Sequence, residues 1–195
     1  FITGKGRCNV TNAADMEVLF QNVCTNEKFL YSAFYSFDNT QICELLEQAG
    51  CPLKTERGDR VFPASDHSSD VIAALQRELR KYQVDIRLQT EVKKILTKET
   101  DGNTYFCGVE CDGHKKIMAD DCIVCTGGCS YASTGSTGDG YRFAEETGHK
   151  VTKRKPALVP LEIREPWCRE LMGLSLKNVS IELACGGKIL YSGFG

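Results

Sequence analysis

The residues able to do chemistry gather in three glycine-rich clusters. The first is Gly4-Lys5-Gly6-Arg7-Cys8-Asn9-Val10-Thr11-Asn12, directly after the apolar Phe1-Ile2-Thr3. Paired glycines let a backbone come close to a ligand, and Arg7 and Asn9 offer donors to phosphate or ring oxygens. The spacing is not that of a Walker loop, G-x-x-x-x-G-K-[ST]. A plain turn and a ligand-binding loop both fit this cluster. The second is Cys125-Thr126-Gly127-Gly128, where a strand ending in Thr-Gly-Gly would leave free amides at the carboxyl edge of a sheet, the ligand side of open α/β sheets. A tight turn is the simpler reading. The third is Ser133-Thr134-Gly135-Ser136-Thr137-Gly138-Asp139-Gly140, leading into a helix. Helix N-termini bind anions, but Asp139 suits a sugar hydroxyl or a helix cap better than a phosphate.

Other reactive residue types are less telling. The eleven cysteines are an odd number in a chain of 195, large enough to fold without disulfide staples. They read as reduced cytosolic thiols used as small apolar residues, so a cytoplasmic location is expected. Cys122, Cys125 and Cys129, or Cys107 and Cys111, have a spacing a metal could use. Cys122–Thr126 reads as a strand, however, which would point Cys122 and Cys125 to opposite faces, so no metal site is expected. His67, His114 and His149 each stand alone, and no Ser-His-Asp or Cys-His constellation can be argued. His67 beside Asp66 at a helix start reads as a cap. The basic run Lys150, Lys153, Arg154 and Lys155 reads as a solvated strand end rather than a nucleic-acid contact, because the net charge is −2.

These residues need elements to hold them. Ala13–Phe20 has helical spacing with Asn12 as N-cap, and Lys28–Phe37 is rich in aromatics. Asp38 or Asn39 caps a helix carrying Ile42, Leu45 and Leu46, stopped by Gly50. Cys51–Phe62 reads as a hairpin around Arg57-Gly58-Asp59, turning Leu53, Val61 and Phe62 inward. Ser65 or Asp66 opens the clearest helix, Ser68–Tyr82, striped by Val71, Ile72, Leu75 and Leu79. Val84–Leu88 alternates like a strand. Glu91–Lys98, Thr104–Cys111 and Lys115–Ala119 form an antiparallel meander with short Gly turns. Cys122–Thr126 follows as a buried strand, and Gly138–Gly148 as a helix. After Pro156 the character turns β-rich, with strands at Leu158–Ile163, Val179–Leu183 and Lys188–Tyr191 and a helical turn at Trp167–Leu171.

Composition bounds the class. With 42% hydrophobic and 26% charged residues the chain is neither disordered nor collagen-like. No apolar stretch nears the roughly 20 residues that span a bilayer, so no membrane association is expected. The chain opens on Phe1 without a signal-peptide pattern, and Ile189–Gly195 stops uncapped. It reads as the middle of a longer protein. The expected fold class is α/β, α+β within this piece. Residues 1–157 would be a partial Rossmann-like domain with a β-meander, and 158–195 the start of an inserted β-rich domain, with a boundary near Pro156–Pro160.

The clusters taken in order resemble one family. Thr3-Gly-Lys-Gly-Arg-Cys-Asn-Val-Thr-Asn12, Val61-Phe-Pro-Ala-Ser-Asp66, Cys125-Thr-Gly-Gly-Cys-Ser130, Thr134-Gly-Ser-Thr-Gly-Asp-Gly-Tyr141, Pro156-Ala-Leu-Val-Pro-Leu161 and Gly173-Leu-Ser-Leu-Lys-Asn-Val179 are similar to the BaiN-like, or aminoacetone oxidase-like, NAD(P)/FAD-dependent oxidoreductases. The resemblance implies FAD lying across a Rossmann-like domain, with NAD(P)H as electron donor. By position, Gly4, Gly6, Arg7, Cys8 and Asn9 would face the flavin and pyrophosphate. The Val92 backbone would meet adenine, Thr126, Gly127 and Gly128 would lie beside the cofactor, and Gly138 and Asp139 near it. Cys8 could be a redox thiol or a plain buried one. The G-x-G-x-x-G unit of the family and its C-terminal segment are absent from this sequence, so weak or no FAD binding is expected of the piece alone.

The implied chemistry is hydride transfer to a small unsaturated or carbonyl substrate, or to dioxygen, with the cofactor carrying the redox step. Spacing identifies no general acid, and it does not fix the oligomeric state. An RNA-modifying flavoprotein, supported by the basic run, and a non-catalytic interaction module are the rival readings. RNA binding that weakens with salt would mark the first, and absence of flavin binding the second.

Overall fold

A computed structural model describes residues 6–130, 132–155, 162–176 and 179–194. The chain divides into two units, Phe1–Glu91 and Val92–Gly195. Phe1–Thr3, Gly4 and the proposed boundary at Pro156–Pro160 lie outside the described residues, as does most of the expected strand Leu158–Ile163. No helix among the described residues is long and apolar enough to cross a membrane.

The first unit packs helices against a small antiparallel sheet. Its helices are α1 (Met16–Gln21), α2 (Glu27–Ser36), α3 (Asn39–Gln48) and α4 (Ser68–Lys81). Strands β1 (Thr11–Asn12), β2 (Leu53–Glu56) and β3 (Arg60–Pro63) lie in the order β1-β3-β2. Helix α3 starts where it does because of a full capping box. The Asp38 carboxylate accepts from the Gln41 amide, and the Gln41 side chain accepts from the Asp38 amide. The expected hairpin is present, with Leu53 opposite Pro63 and Glu56 opposite Arg60. Leu53 packs on a core of Leu46, Ala49, Cys51, Val71 and Ala74, as do Cys8 and Val10, while Val61 and Phe62 are buried beside β2. The aromatics of α2 gather on Phe20, whose ring centroid lies 4.5 Å from Tyr31 and 5.4 Å from Phe34.

Three expectations in this unit change. Asn12 lies in β1 rather than capping α1; its Oδ1 accepts from the Ala14 amide, and Asp15 takes the N-cap position. Helix α4 is preceded by His67, which sits at the N-cap without a side-chain cap bond. Val84–Leu88 is not a strand. Gln83 and Gln89, flanking it, both have left-handed backbone (φ 55° and 52°), so the chain turns at each end, and no described strand pairs with it.

In the second unit, β4 (Val92–Thr100), β5 (Asn103–Cys111) and β6 (Lys115–Met118) form the expected meander in the order β4-β5-β6. Gly108 permits the close approach of β5 to β6, since a Cβ there would stand 2.5 Å from the Ile117 carbonyl oxygen. Helix α5 (Asp139–Glu146) buries Phe143 and ends at Gly148, as the Gly148 and His149 amides bond back to Glu145 and Ala144. Strands β7 (Ser180–Cys185) and β8 (Lys188–Phe194) make a hairpin turned by Gly186-Gly187, preceded by a short 3-10 helix at Pro166–Arg169.

Cys122–Thr126 is neither buried nor a strand. It runs without ladder partners among the described residues, and Ile123 is 88% exposed. A strand is a pairing, and an apolar run becomes one only when a neighbour supplies the matching amides and carbonyls.

Candidate functional site

The expected site residues fall in both units. In the first, Gly6, Arg7, Cys8 and Asn9 form a turn just before β1. Gly6 takes φ 88° and Cys8 φ 66°, so two residues of the turn are left-handed, one of them with a side chain. The Cys8 side chain packs toward the unit's core, which favours the plain thiol over the redox one. Asn9 is exposed, and its amide has no hydrogen-bond partner among the described residues.

Arg7 is held at one guanidinium nitrogen and over one ring. Its Nη1 donates to Glu56 Oε1 at 2.9 Å and to Asp66 Oδ1 at 3.1 Å, and its guanidinium lies 4.0 Å above the Phe62 ring. Lys54 Nζ closes the ring of charges, 2.6 Å from Asp66 Oδ2 and 3.7 Å from Glu56 Oε1. The hairpin explains the arrangement. Lys54 and Glu56 are two apart in β2 and share a face, and Phe62 pairs with Lys54 across the ladder. Asp66 reaches the group through a left-handed turn, φ 61°. The Arg7 hydrogen bond holds the Glu56 carboxyl below its usual range, and the Lys54 hydrogen bond does the same for Asp66. The Glu56 hydrogen bond in turn raises Arg7.

In the second unit the structure brings two of the glycine clusters together. A Cβ on Gly140 would sit 2.9 Å from Thr126 Oγ1, one on Gly127 3.2 Å from Ser136 Oγ, and one on Gly138 2.9 Å from Cys129 Sγ. The glycines are therefore the condition for the two segments to touch. Gly128 lies near the Tyr141 hydroxyl, and the amides of Gly127 and Gly128 form no hydrogen bond among the described residues. Gly140 and Val124 also line a cavity of about 440 Å³ with Ile95, Phe106 and Phe143.

Asp139 opens α5. It accepts from Thr137 Oγ1 at 2.6 Å and from Arg142 Nη2 at 3.0 Å, and the Thr137 bond leads in keeping its carboxyl below the ordinary range. Arg142 Nη1 donates to the Lys93 carbonyl at 2.7 Å, so the same guanidinium ties Asp139 to the start of β4, where Val92 lies. Sequence reasoning missed Arg142; its signal was an Arg three residues after an Asp at a helix start. It also missed Arg154, which donates to Cys129 Sγ at 3.2 Å and stands 5.0 Å over the Tyr141 ring. Nothing local in the sequence links residues 129 and 154.

Each unit by itself offers donors of a kind a flavin dinucleotide can use: the Asn9 amide in the first, and in the second the Thr126 hydroxyl with the Gly127 and Gly128 amides, which form no hydrogen bond among the described residues. An α/β chain whose glycine-rich turns carry such donors is of the Rossmann-like, dinucleotide-binding class. The chain belongs to the HI0933-like protein Rossmann domain family, whose profile matches residues 1–190, and this is a family of flavoprotein oxidoreductases. It is 31% identical over 165 residues to a 3-dehydro-bile acid delta(4,6)-reductase of Clostridium scindens, covering 84% of this chain and 38% of that protein. It is 27% identical over 174 residues to a ribosomal RNA dihydrouridine synthase of Escherichia coli, covering 89% of this chain and 41% of that protein. The chain thus spans about two fifths of the length of these curated relatives.

Proposed function

We propose that the full-length protein is a flavin-dependent reductase that adds hydrogen across an electron-poor carbon–carbon double bond of a small organic molecule, with FAD as cofactor and NAD(P)H as electron donor. Family membership is the observation that carries this reading. The names of the two relatives support the bond type, since one is a delta-numbered reductase and the other makes a dihydro-nucleoside.

When bound, FAD would supply hydride chemistry: two electrons and a proton taken from NAD(P)H pass to one carbon of the double bond, and a solvent-derived proton completes the neighbouring carbon. Gly4, Gly6, Cys8 and Asn9 would hold the cofactor, chiefly through backbone donors and the Asn9 amide, with Arg7 shaping the same turn. The Val92 backbone would meet adenine. Thr126, Gly127 and Gly128 would donate to cofactor oxygens, and Asp139, kept anionic by Thr137 and Arg142, would accept from a sugar hydroxyl. Dioxygen is the alternative acceptor. The division into a Rossmann-like part, 1–157, and the start of an inserted domain, 158–195, and a cytoplasmic location, belong to the same proposal.

The test is flavin titration of the full-length protein followed by anaerobic addition of NADH or NADPH. The expected result is stoichiometric FAD whose visible absorbance bleaches with nicotinamide and recovers with a conjugated enone. A full-length protein that takes up no flavin would end the enzyme reading.

A second reading has its own support. One relative is named for ribosomal RNA, and Lys150, Lys153 and Lys155 are exposed. If RNA is the substrate, adding ribosomal RNA in place of the enone restores the absorbance and yields dihydrouridine, and binding falls steeply with salt.

A further inference from the structure

We propose that Arg7, Lys54, Glu56 and Asp66 form a neutral four-charge latch that positions the Gly6–Asn9 turn, with Arg7 acting through the turn rather than touching the cofactor. The inference rests on the flavin reading above and assigns Arg7 a different task within it.

Three observations carry it. The Arg7 guanidinium has Nη1 committed to carboxylates 49 and 59 residues away and its ring-facing side laid over Phe62. Two of the residues concerned hold left-handed backbone without being glycine: Cys8, next to Arg7, and Asp66, its partner. Such conformations are unfavourable for side-chain-bearing residues and persist where the surroundings over-determine them. Here the surroundings are the charge ring on one side and the core contact of Cys8 on the other. Finally, the turn divides its labour between neighbours. Arg7 is drawn back onto the hairpin, while Asn9 is exposed and free to bind.

The ring contains two cations and two anions, so it presents no net charge to a pyrophosphate. A phosphate could be met through Nη1 only by giving up both carboxylates. Glu56 and Asp66 themselves could only repel a phosphate. Their value to cofactor binding is to fix Arg7 and, through it, the amides that follow.

The sign of one substitution separates latch from direct contact. The measurement is FAD affinity of the full-length protein as wild type, E56Q, D66N, R7E and the swap R7E/E56R. The latch predicts that E56Q and D66N weaken FAD binding by about tenfold, because the turn loosens. Direct contact predicts the reverse, since removing a carboxylate frees Arg7 for phosphate. The latch further predicts that R7E/E56R regains most of the affinity lost in R7E, although no cation remains at position 7; this rescue also covers the case in which a single variant folds poorly. Wild-type protein that binds no FAD overturns the flavin reading. Wild-type protein that binds FAD, with E56Q binding equally or more tightly and no rescue in the swap, overturns the latch alone.

Discussion

Two glycine-containing turns each carry candidate donors, and different forces hold them. The Gly6–Asn9 turn is fixed by side chains: Arg7 reaches Glu56 and Asp66, and Cys8 packs toward Leu46, Cys51 and Val71. The Thr126–Gly128 turn lies against the start of α5 through bare glycines, with the Ser136, Cys129 and Thr126 side chains close to Gly127, Gly138 and Gly140. Charged anchors reach far in sequence and respond to pH. Glycine contacts are short in sequence, carry no titrating group on the glycine, and make neighbouring side chains shift if a methyl group is added. One protein can thus present similar donors on supports that fail under different insults.

The largest expected effect lies in the first support. Leu46→Ala empties a site that is 1% exposed and should cost about 2–5 kcal/mol, read as a fall in the urea midpoint of the first unit. A loss below about 1 kcal/mol would mean that the core contributes little to holding Cys8. The second support is probed by Gly138→Ala. Its φ of 88° and the Cys129 sulfur 2.9 Å from the new methyl predict a cost of order 1–3 kcal/mol. Gly135→Ala is the control: φ is 92° but the space is open, so only the backbone penalty of roughly 1 kcal/mol applies. Equal melting temperatures for the two variants would contradict the close approach.

Asp38→Ala should cost about 1 kcal/mol by removing the capping box of α3, the helix that carries Leu46. Amide exchange in the first turn of α3 would report it. The smallest effect at neutral pH is the acid response. Glu56 and Asp66 ionise more readily folded than unfolded, so they add stability above the ordinary carboxylate range and lose it progressively as pH falls from about 4 through their lowered folded values. Asp139 gives the second unit the same sign from a single carboxyl. The first unit should therefore lose more of its urea midpoint between neutral and acid pH, and E56Q should flatten that dependence. A second unit equally sensitive to acid would erase the distinction drawn between the supports.

The local elements were legible in the sequence because their causes are local. Asp38 and Gln41 cap α3 from three residues apart, and Arg57-Gly58-Asp59 turns the hairpin. Of the α4 stripe Val71, Ile72, Leu75 and Leu79, however, only Val71 is buried; Ile72 is half-buried, Leu75 and Leu79 are exposed, and Ala74 takes the inner position instead. The glycine clusters were legible too, as candidate site segments. Arg142 was within reach of the same reasoning, being one helical turn from Asp139.

What the sequence determined by itself is this set of short-range elements, together with the motifs that place the chain in its family. Tertiary structure decided everything that depends on a distant partner. Val84–Leu88 and Cys122–Thr126 have the composition of strands, yet neither finds a ladder among the described residues, because strand formation needs hydrogen bonds from another segment. Arg7 looks like a phosphate ligand in a glycine loop. Its engagement became visible only when folding brought in Glu56 and Asp66, since a charge is satisfied by whatever lies within a few ångströms and the sequence does not say what that is.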